Sequence, residues 1–183
     1  MNKKQQLLLY NNSWYYPGAN LFKRALWYLI NAWFINSWLP FSRFKIFLLR
    51  LFGAKIGKRC VIKNHVNIKY PWLFTCGDDC WIGEKVWIDN LTHVRIGNNV
   101  CISQGAMLLT GNHNYKKESF DLMVGEITLH NGVWIGANST VCSNVTCFEQ
   151  SVLTVGSVLT KNTEPYSIYS GIPAKKVKER IFE

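Results

Sequence analysis

The chain has 183 residues, of which 48% are hydrophobic and 17% charged, and its formal net charge is +10. This length fits one domain with a small appendage, and the apolar content fills a continuous core, which excludes a disordered or collagen-like chain. The charge is uneven: residues 1–77 carry twelve Lys/Arg and no Asp or Glu, whereas residues 78–183 carry nine basic and eleven acidic residues.

At the N-terminus no basic stretch leads into an apolar run with a small-residue cleavage site, so the expected location is cytoplasmic. Residues 1–52 are basic and aromatic, with Trp14, Trp27, Trp33, Trp38, Phe34, Phe41, Phe44 and Phe47. That mixture suits an anionic membrane surface or an anionic glycan, and no nucleic-acid-binding motif accompanies it. Leu21 to Phe52 reads as two helices broken at Pro40, and Asn31, Asn36 and Ser37 keep the apolar stretch below the ~20 residues of a membrane span. Two roles follow for this segment: capping a core that begins after it, or peripheral contact with the inner membrane. The second reading puts residues 1–20, Lys23, Arg24, Arg43 and Lys45 at the anionic surface.

From Ile56 onward aliphatic or small apolar residues return every six positions. The inward set runs Ile56, Ile62, Ile68; Cys76, Ile82, Ile88; Ile96, Ile102, Leu108; Leu129, Ile135, Val141; Cys147, Leu153, Leu159. Four positions further on stand small or β-branched residues such as Cys60, Val86, Ala106 and Ser139. A period of six fits neither an amphipathic helix nor an alternating strand. It fits a triangular coil in which each hexapeptide supplies a short strand and a corner, so that three hexapeptides complete a turn. The steps from Ile68 to Cys76, Ile88 to Ile96 and Leu108 to Leu129 exceed six, so all three insertions fall at the same corner. The expected fold is mainly β, a parallel β-helix of about five coils over residues 53–162. A loop at 112–126 projects from it, residues 1–52 form a helical segment, and residues 163–183 form a C-terminal tail.

Within this scheme His113 opens the longest insertion in a polar Gly-Asn-His-Asn setting, and an imidazole there suits a general base. Leu108 stacks over Ile88, which puts Asp89, Asn90 and His93 beneath the loop as candidate substrate-binding residues. Each of the two Asx residues also has a plain turn-stabilising reading. His65 and His130 fall inside regular hexapeptides and carry no special signal. The six cysteines form no C-x-x-C and no His/Cys cluster of zinc spacing, so neither disulfides nor a metal is expected.

An ordered set of motifs carries a family resemblance: Leu-Phe-Gly-Ala-Lys-Ile-Gly at 51–57, Trp-Ile-Gly-Glu at 81–84, Trp-Ile-Asp-Asn-Leu at 87–91, Thr-Gly-Asn-His-Asn-Tyr at 110–115, Val-Trp-Ile-Gly-Ala at 133–137 and Gly-Ile-Pro-Ala-Lys at 171–175. The chain resembles the hexapeptide-repeat, left-handed β-helix acetyltransferases, in particular those of colanic acid and other exopolysaccharides. The resemblance implies an acetyl-CoA-dependent O-acetyltransferase that acts on a saccharide hydroxyl in exopolysaccharide or O-antigen synthesis. It also implies a homotrimer with sites between subunits, no metal, and His113 as the catalytic base. Acetyl-CoA contacts carried over from related enzymes fall on Trp134, Ala137, Val155, Thr160, Lys161, Lys175 and Lys178. The Asn that supports substrate binding in the galactoside enzymes falls near Gly83 here, which points to another acceptor, and the basic front segment suggests a lipid-linked one. Deleting residues 1–20 should then spare transfer to a small soluble acceptor. The alternatives are N-acetylation of an amino sugar nucleotide and a non-catalytic trimeric scaffold.

Overall fold

The computed structural model describes residues 3–183. Its central body is a left-handed parallel β-helix whose short strands stack into three faces. The first face joins Lys55–Ile56, Phe74–Cys76, Val94–Ile96, Ile127–Leu129 and Thr146–Cys147. The second joins Val61–Ile62, Trp81–Ile82, Cys101–Ile102, Trp134–Ile135 and Val152–Leu153. The third joins Asn67–Ile68, Trp87–Asp89, Met107–Leu109, Thr140–Val141 and Val158–Leu159. Five coils are complete, and Ser167–Gly171 starts a sixth on the second face before Ala174–Glu179 folds back antiparallel to it.

The six-residue period sets this stacking. Ile56, Cys76, Ile96, Leu129 and Cys147 lie in register on the first face, and the corresponding residues align on the other two. Every one of the fifteen inward residues is buried. A fully buried aliphatic side chain stabilises such a core by about 1.5–3 kcal/mol. At the regular corners the residue three past the inward one takes a left-handed conformation, as Asp79, Asn99, Gly105, Gly132 and Asn138 do, with φ between 52 and 67°. Asn, Asp and Gly tolerate this region best. The corners after Ile68, Ile88 and Leu108 lack this turn, and they are the ones with insertions.

Side chains also lock coil to coil. Asp78 Oδ1 accepts from the Lys58 amide at 2.7 Å, Asn98 Oδ1 from the Asp78 amide at 2.8 Å, and Asn131 Oδ1 from the Asn98 amide at 2.8 Å. The twenty-residue step between the first two coils brings Cys60, Cys76 and Cys80 together, with their sulfurs within 4.8 Å of one another. Linear spacing did not foretell this group, whose geometry would admit a soft metal ion. The Cys60 and Cys80 thiols donate instead to the Gly77 and Gly97 carbonyls.

The open first coil is closed by α1 (Leu21–Ile30), a π-helical turn (Asn31–Ile35) and α2 (Ser42–Leu51). Asn20 caps α1 by accepting from the Lys23 amide at 2.9 Å. These elements pair with backbone groups that the end coil leaves over. Ser42 Oγ accepts from the Ile62 amide, Trp27 Nε1 donates to the Ile68 carbonyl, and Arg50 donates to the Ile56 and Gly57 carbonyls. Lys45, expected at an anionic surface, is instead 0% exposed and donates to the Lys63 carbonyl at 3.0 Å. Burial there also lowers its pKa, and a side chain so enclosed does not reach headgroups. The same N-terminal segment leaves Leu21, Phe22, Tyr28, Trp33, Trp38 and Phe47 exposed. Among the described residues, no helix is long and apolar enough to cross a membrane.

Replacing inward Ile135, which is fully buried, by Ala should destabilise the protein by about 2–5 kcal/mol. Deleting Lys116 and Lys117 from the projecting loop should change stability by less than about 1 kcal/mol. Urea unfolding at fixed protein concentration reads both, and equal losses would contradict the register given above.

Candidate active site

The three insertions at the third corner brace one another. Asn90 is fully buried, and its amide accepts from the Tyr70 N–H at 2.9 Å and donates to the Tyr70 carbonyl at 2.6 Å. Thr110 Oγ1 donates to the Asp89 carbonyl at 2.9 Å and accepts from the Thr92 amide. On this base Gly111–His113 pairs antiparallel with Leu122–Val124, and His113 faces Leu122 across the hairpin.

The hairpin sets the chemistry of His113. Phe120, at φ 50°, turns its carbonyl toward the imidazole, and its oxygen lies 2.9 Å from Nδ1. A carbonyl only accepts, so Nδ1 carries the proton and the Nε2 lone pair is left free. The Phe120 ring lies 4.3 Å from the imidazole at 3° between planes, and Tyr10 packs against its other surroundings at 5.8 Å. The ring is thereby held in one tautomer and one orientation.

His113 lines a polar cleft of about 720 Å³ with Asp89, Lys69, Tyr70 and Arg24. Asp89 accepts from Lys69 at 2.8 Å and keeps a second oxygen for a ligand hydroxyl. The opposite wall comes from the extended N-terminal arm, through Tyr10, Asn12, Ser13 and Tyr15. The arm is tied down where the Gln6 amide donates to the Glu118 carbonyl, where Tyr15 donates to the Leu91 carbonyl at 2.7 Å, and where Trp72 donates to the Pro17 carbonyl at 2.7 Å. Burial, reinforced by neighbouring Tyr70, pushes the Tyr15 phenol well above its usual range and keeps it a neutral donor.

Of the candidates read from the sequence, Asp89 and His113 share this cleft, whereas Asn90 turns inward to hold Tyr70 and His93 is not among the lining residues. His93 gives the fold its carbonyl, which accepts from the Ile127 amide. Tyr10, Asn12, Ser13 and Tyr15 wall the cleft, so the arm is part of it. Their place was hidden because nothing in the repeat fixes where a segment before it will lie. The aromatic clustering of the segment was the one available signal.

Of the residues carried over for acetyl-CoA, Trp134, Ala137, Val155, Lys175 and Lys178 lie elsewhere on the prism, whereas Thr160 and Lys161 stand at the third corner, two coils beyond His113. Trp134 stands exposed on the second face with Nε1 donating to Ser103 Oγ at 2.9 Å. Lys175 and Lys178 sit on the antiparallel strand that extends this face, opposite Ser170 and Ile168. Ala137 and Val155 are neighbours in adjacent coils at the next corner, where the Gly156 amide donates to the Ala137 carbonyl. Thr160 and Lys161 follow the last third-face strand and are exposed. Lys176, between the two expected lysines, is instead engaged by Glu164 and Glu179.

No protein-family model matches the chain. It is 35% identical over 168 residues to the putative colanic acid biosynthesis acetyltransferase WcaF of Escherichia coli, covering 91% of this chain and 92% of that one. It is 31% identical over 121 residues to the galactoside O-acetyltransferase of the same organism, covering 61% of this chain and 60% of the relative. The hexapeptide-repeat acetyltransferase VCA0836 of Vibrio cholerae, solved with acetyl coenzyme A, superposes with a TM-score of 0.79 at 20% identity over 87% of this chain and 88% of that one. With the ordered repeat, the third-corner loop and the near full-length similarity to WcaF, the chain belongs to the hexapeptide-repeat acetyltransferases and is an acyltransferase.

Proposed function

We propose that the chain moves an acetyl group from acetyl-CoA directly to a saccharide hydroxyl, with His113 as the general base. The observation that carries this reading is the Nδ1 contact with the Phe120 carbonyl, which leaves Nε2 as the acceptor nitrogen of a ring that lines the cleft. Nε2 takes the hydroxyl proton as the oxygen attacks the thioester carbonyl. The tetrahedral intermediate expels the CoA thiolate, and the imidazolium returns the proton to that sulfur. Among the described residues no cysteine lines the cleft, which supports direct transfer over an acetyl-thiol intermediate. The polar wall of Asp89, Asn12, Ser13 and Tyr10 suits a ligand rich in hydroxyls. The names of the colanic acid and galactoside relatives support a sugar acceptor and O-acetylation.

The acetyl-CoA residues support a homotrimer with sites between subunits. His113 stands at the third corner, while Trp134, Lys175 and Lys178 stand on the second face, and the third face separates them within one chain. A site that joins both sets takes His113 from one subunit and the acetyl-CoA groove from its neighbour. Trp134, Ala137 and Val155 would flank the pantetheine arm, with Thr160, Lys161, Lys175 and Lys178 near the phosphates. The residues at the cleft need no metal for this chemistry, and none is assigned.

The outer surface of α1 and α2 supports peripheral attachment to a membrane. Phe47 and Arg43 are exposed on α2, Trp33 and Trp38 are exposed in the segment that joins the two helices, and residues 1–77 carry no acidic group to repel an anionic surface. Each exposed Lys or Arg near such a surface contributes about 1 kcal/mol, and three copies in a trimer multiply the effect.

His113→Ala should fold and bind acetyl-CoA normally while losing about 10²–10⁴-fold in transfer. Turnover near that of the native enzyme would remove His113 from the mechanism. The native protein should also co-sediment with phosphatidylglycerol vesicles at low salt, and the combined changes Trp33→Ala, Phe47→Ala and Arg43→Ala should release it without changing the fold. A native chain that ignores such vesicles would leave these helices with the capping role alone.

A further inference from the structure

Beside the His113 cleft lies a second groove of about 420 Å³, between α1 and the third face. Its character differs. Leu21, Ala25 and Tyr28 of α1 form one side and Trp87 of the third face the other, with Trp27 at its floor. The two cavities are continuous in the sense that Arg24, Lys69, Tyr70 and Asp89 line both. The junction between an apolar groove and a polar cleft is therefore marked by two cations and one carboxylate. Lys69 is paired with Asp89, whereas Arg24 has no carboxylate partner among the described residues. The junction keeps one uncompensated positive charge, on a guanidinium suited to holding phosphate oxygens in a bidentate grip.

We infer that this groove is the tail subsite for an amphiphilic acceptor, a saccharide joined through phosphate to a long apolar chain. The sugar occupies the His113 cleft, the phosphate sits at Arg24 and Lys69, and the chain lies between α1 and Trp87. The inference rests on the acetyltransferase reading and names the acceptor class for that same site. The order of chemistry along the joined cavities, base then hydroxyl-binding wall then cations then apolar trough, matches the order of parts in such a ligand. Two amides, Asn31 and Asn67, line the groove and bond to each other, but its remaining wall of Leu21, Ala25, Trp27, Tyr28 and Trp87 suits a hydrocarbon chain better than the base of a nucleotide sugar. The helix that supplies the groove also exposes Leu26 and Leu29, which adds apolar surface on the same element.

Titration calorimetry on the full chain tests this with three probes: farnesyl diphosphate below its aggregation concentration, inorganic pyrophosphate, and UDP. Farnesyl diphosphate should bind at least about tenfold more tightly than either of the others, the difference coming from tail burial. Ala25→Trp, at an exposed position that fills the groove, should abolish that advantage while leaving pyrophosphate and acetyl-CoA affinities unchanged. Leu21→Lys serves as a second block should the tryptophan disturb folding. Equal affinity for farnesyl diphosphate and pyrophosphate, a preference for UDP, or insensitivity to both blocks would overturn the tail subsite. Acetyl-CoA binding and His113-dependent transfer, measured on the same samples, would separate that failure from failure of the acetyltransferase reading itself.

Discussion

Each coil of this protein can bury its inward aliphatic residue only against the coil above and the coil below. That constraint governs the rest of the molecule. It demands strict register, which the six-residue step and the Asp78, Asn98 and Asn131 ladder supply. It also demands closed ends, because the outermost coil would otherwise present a bare row of backbone donors and acceptors. The N-terminal helices answer this by lending Ser42, Trp27 and Arg50 to the first coil. Covering the core on one side leaves apolar residues such as Phe22 and Phe47 exposed on their other side.

The same constraint decides where chemistry is possible. A coil accepts extra residues only at a corner, and three successive coils use one corner. Stacking then turns three separate insertions into one platform, held by Asn90 and Thr110. The platform fixes the hairpin, the hairpin places the Phe120 carbonyl, and the carbonyl fixes the His113 tautomer. The geometry of His113 is in this way a consequence of core packing several residues away, with the backbone at Phe120 held in a conformation that non-glycine residues rarely adopt.

What the sequence disclosed, and what it withheld, follows from locality. The repeat made the inward residues, the corner of the insertions and the stacking of Leu108 over Ile88 legible, because each depends only on counting along the chain. His113 was visible as the polar start of the longest insertion, but the acceptor for its Nδ1 was not, since Phe120 reaches it through a hairpin whose register no local pattern announced. Asn90 looked like a ligand-binding residue because its burial depends on Tyr70 in the previous coil. Lys45 looked like a surface charge because helix periodicity alone could not show that α2 lies over the Lys63 carbonyl. The N-terminal arm was the least legible part, since tertiary contacts at Glu118, Leu91 and Trp72 alone set its path.

The central claim is that the base and the acetyl-CoA groove of one active site come from different subunits. Complementation in mixed trimers tests it most directly. Subunits carrying His113→Ala and subunits carrying Lys175→Ala with Lys178→Ala would each be assayed alone, then co-refolded in equal amounts and assayed again at limiting acetyl-CoA. If the site is shared, the mixture should recover up to about a quarter of native activity, since random assembly pairs an intact base with an intact groove at that fraction of interfaces. A mixture no more active than the mean of its two parents would place both halves of the site on one subunit and contradict the account.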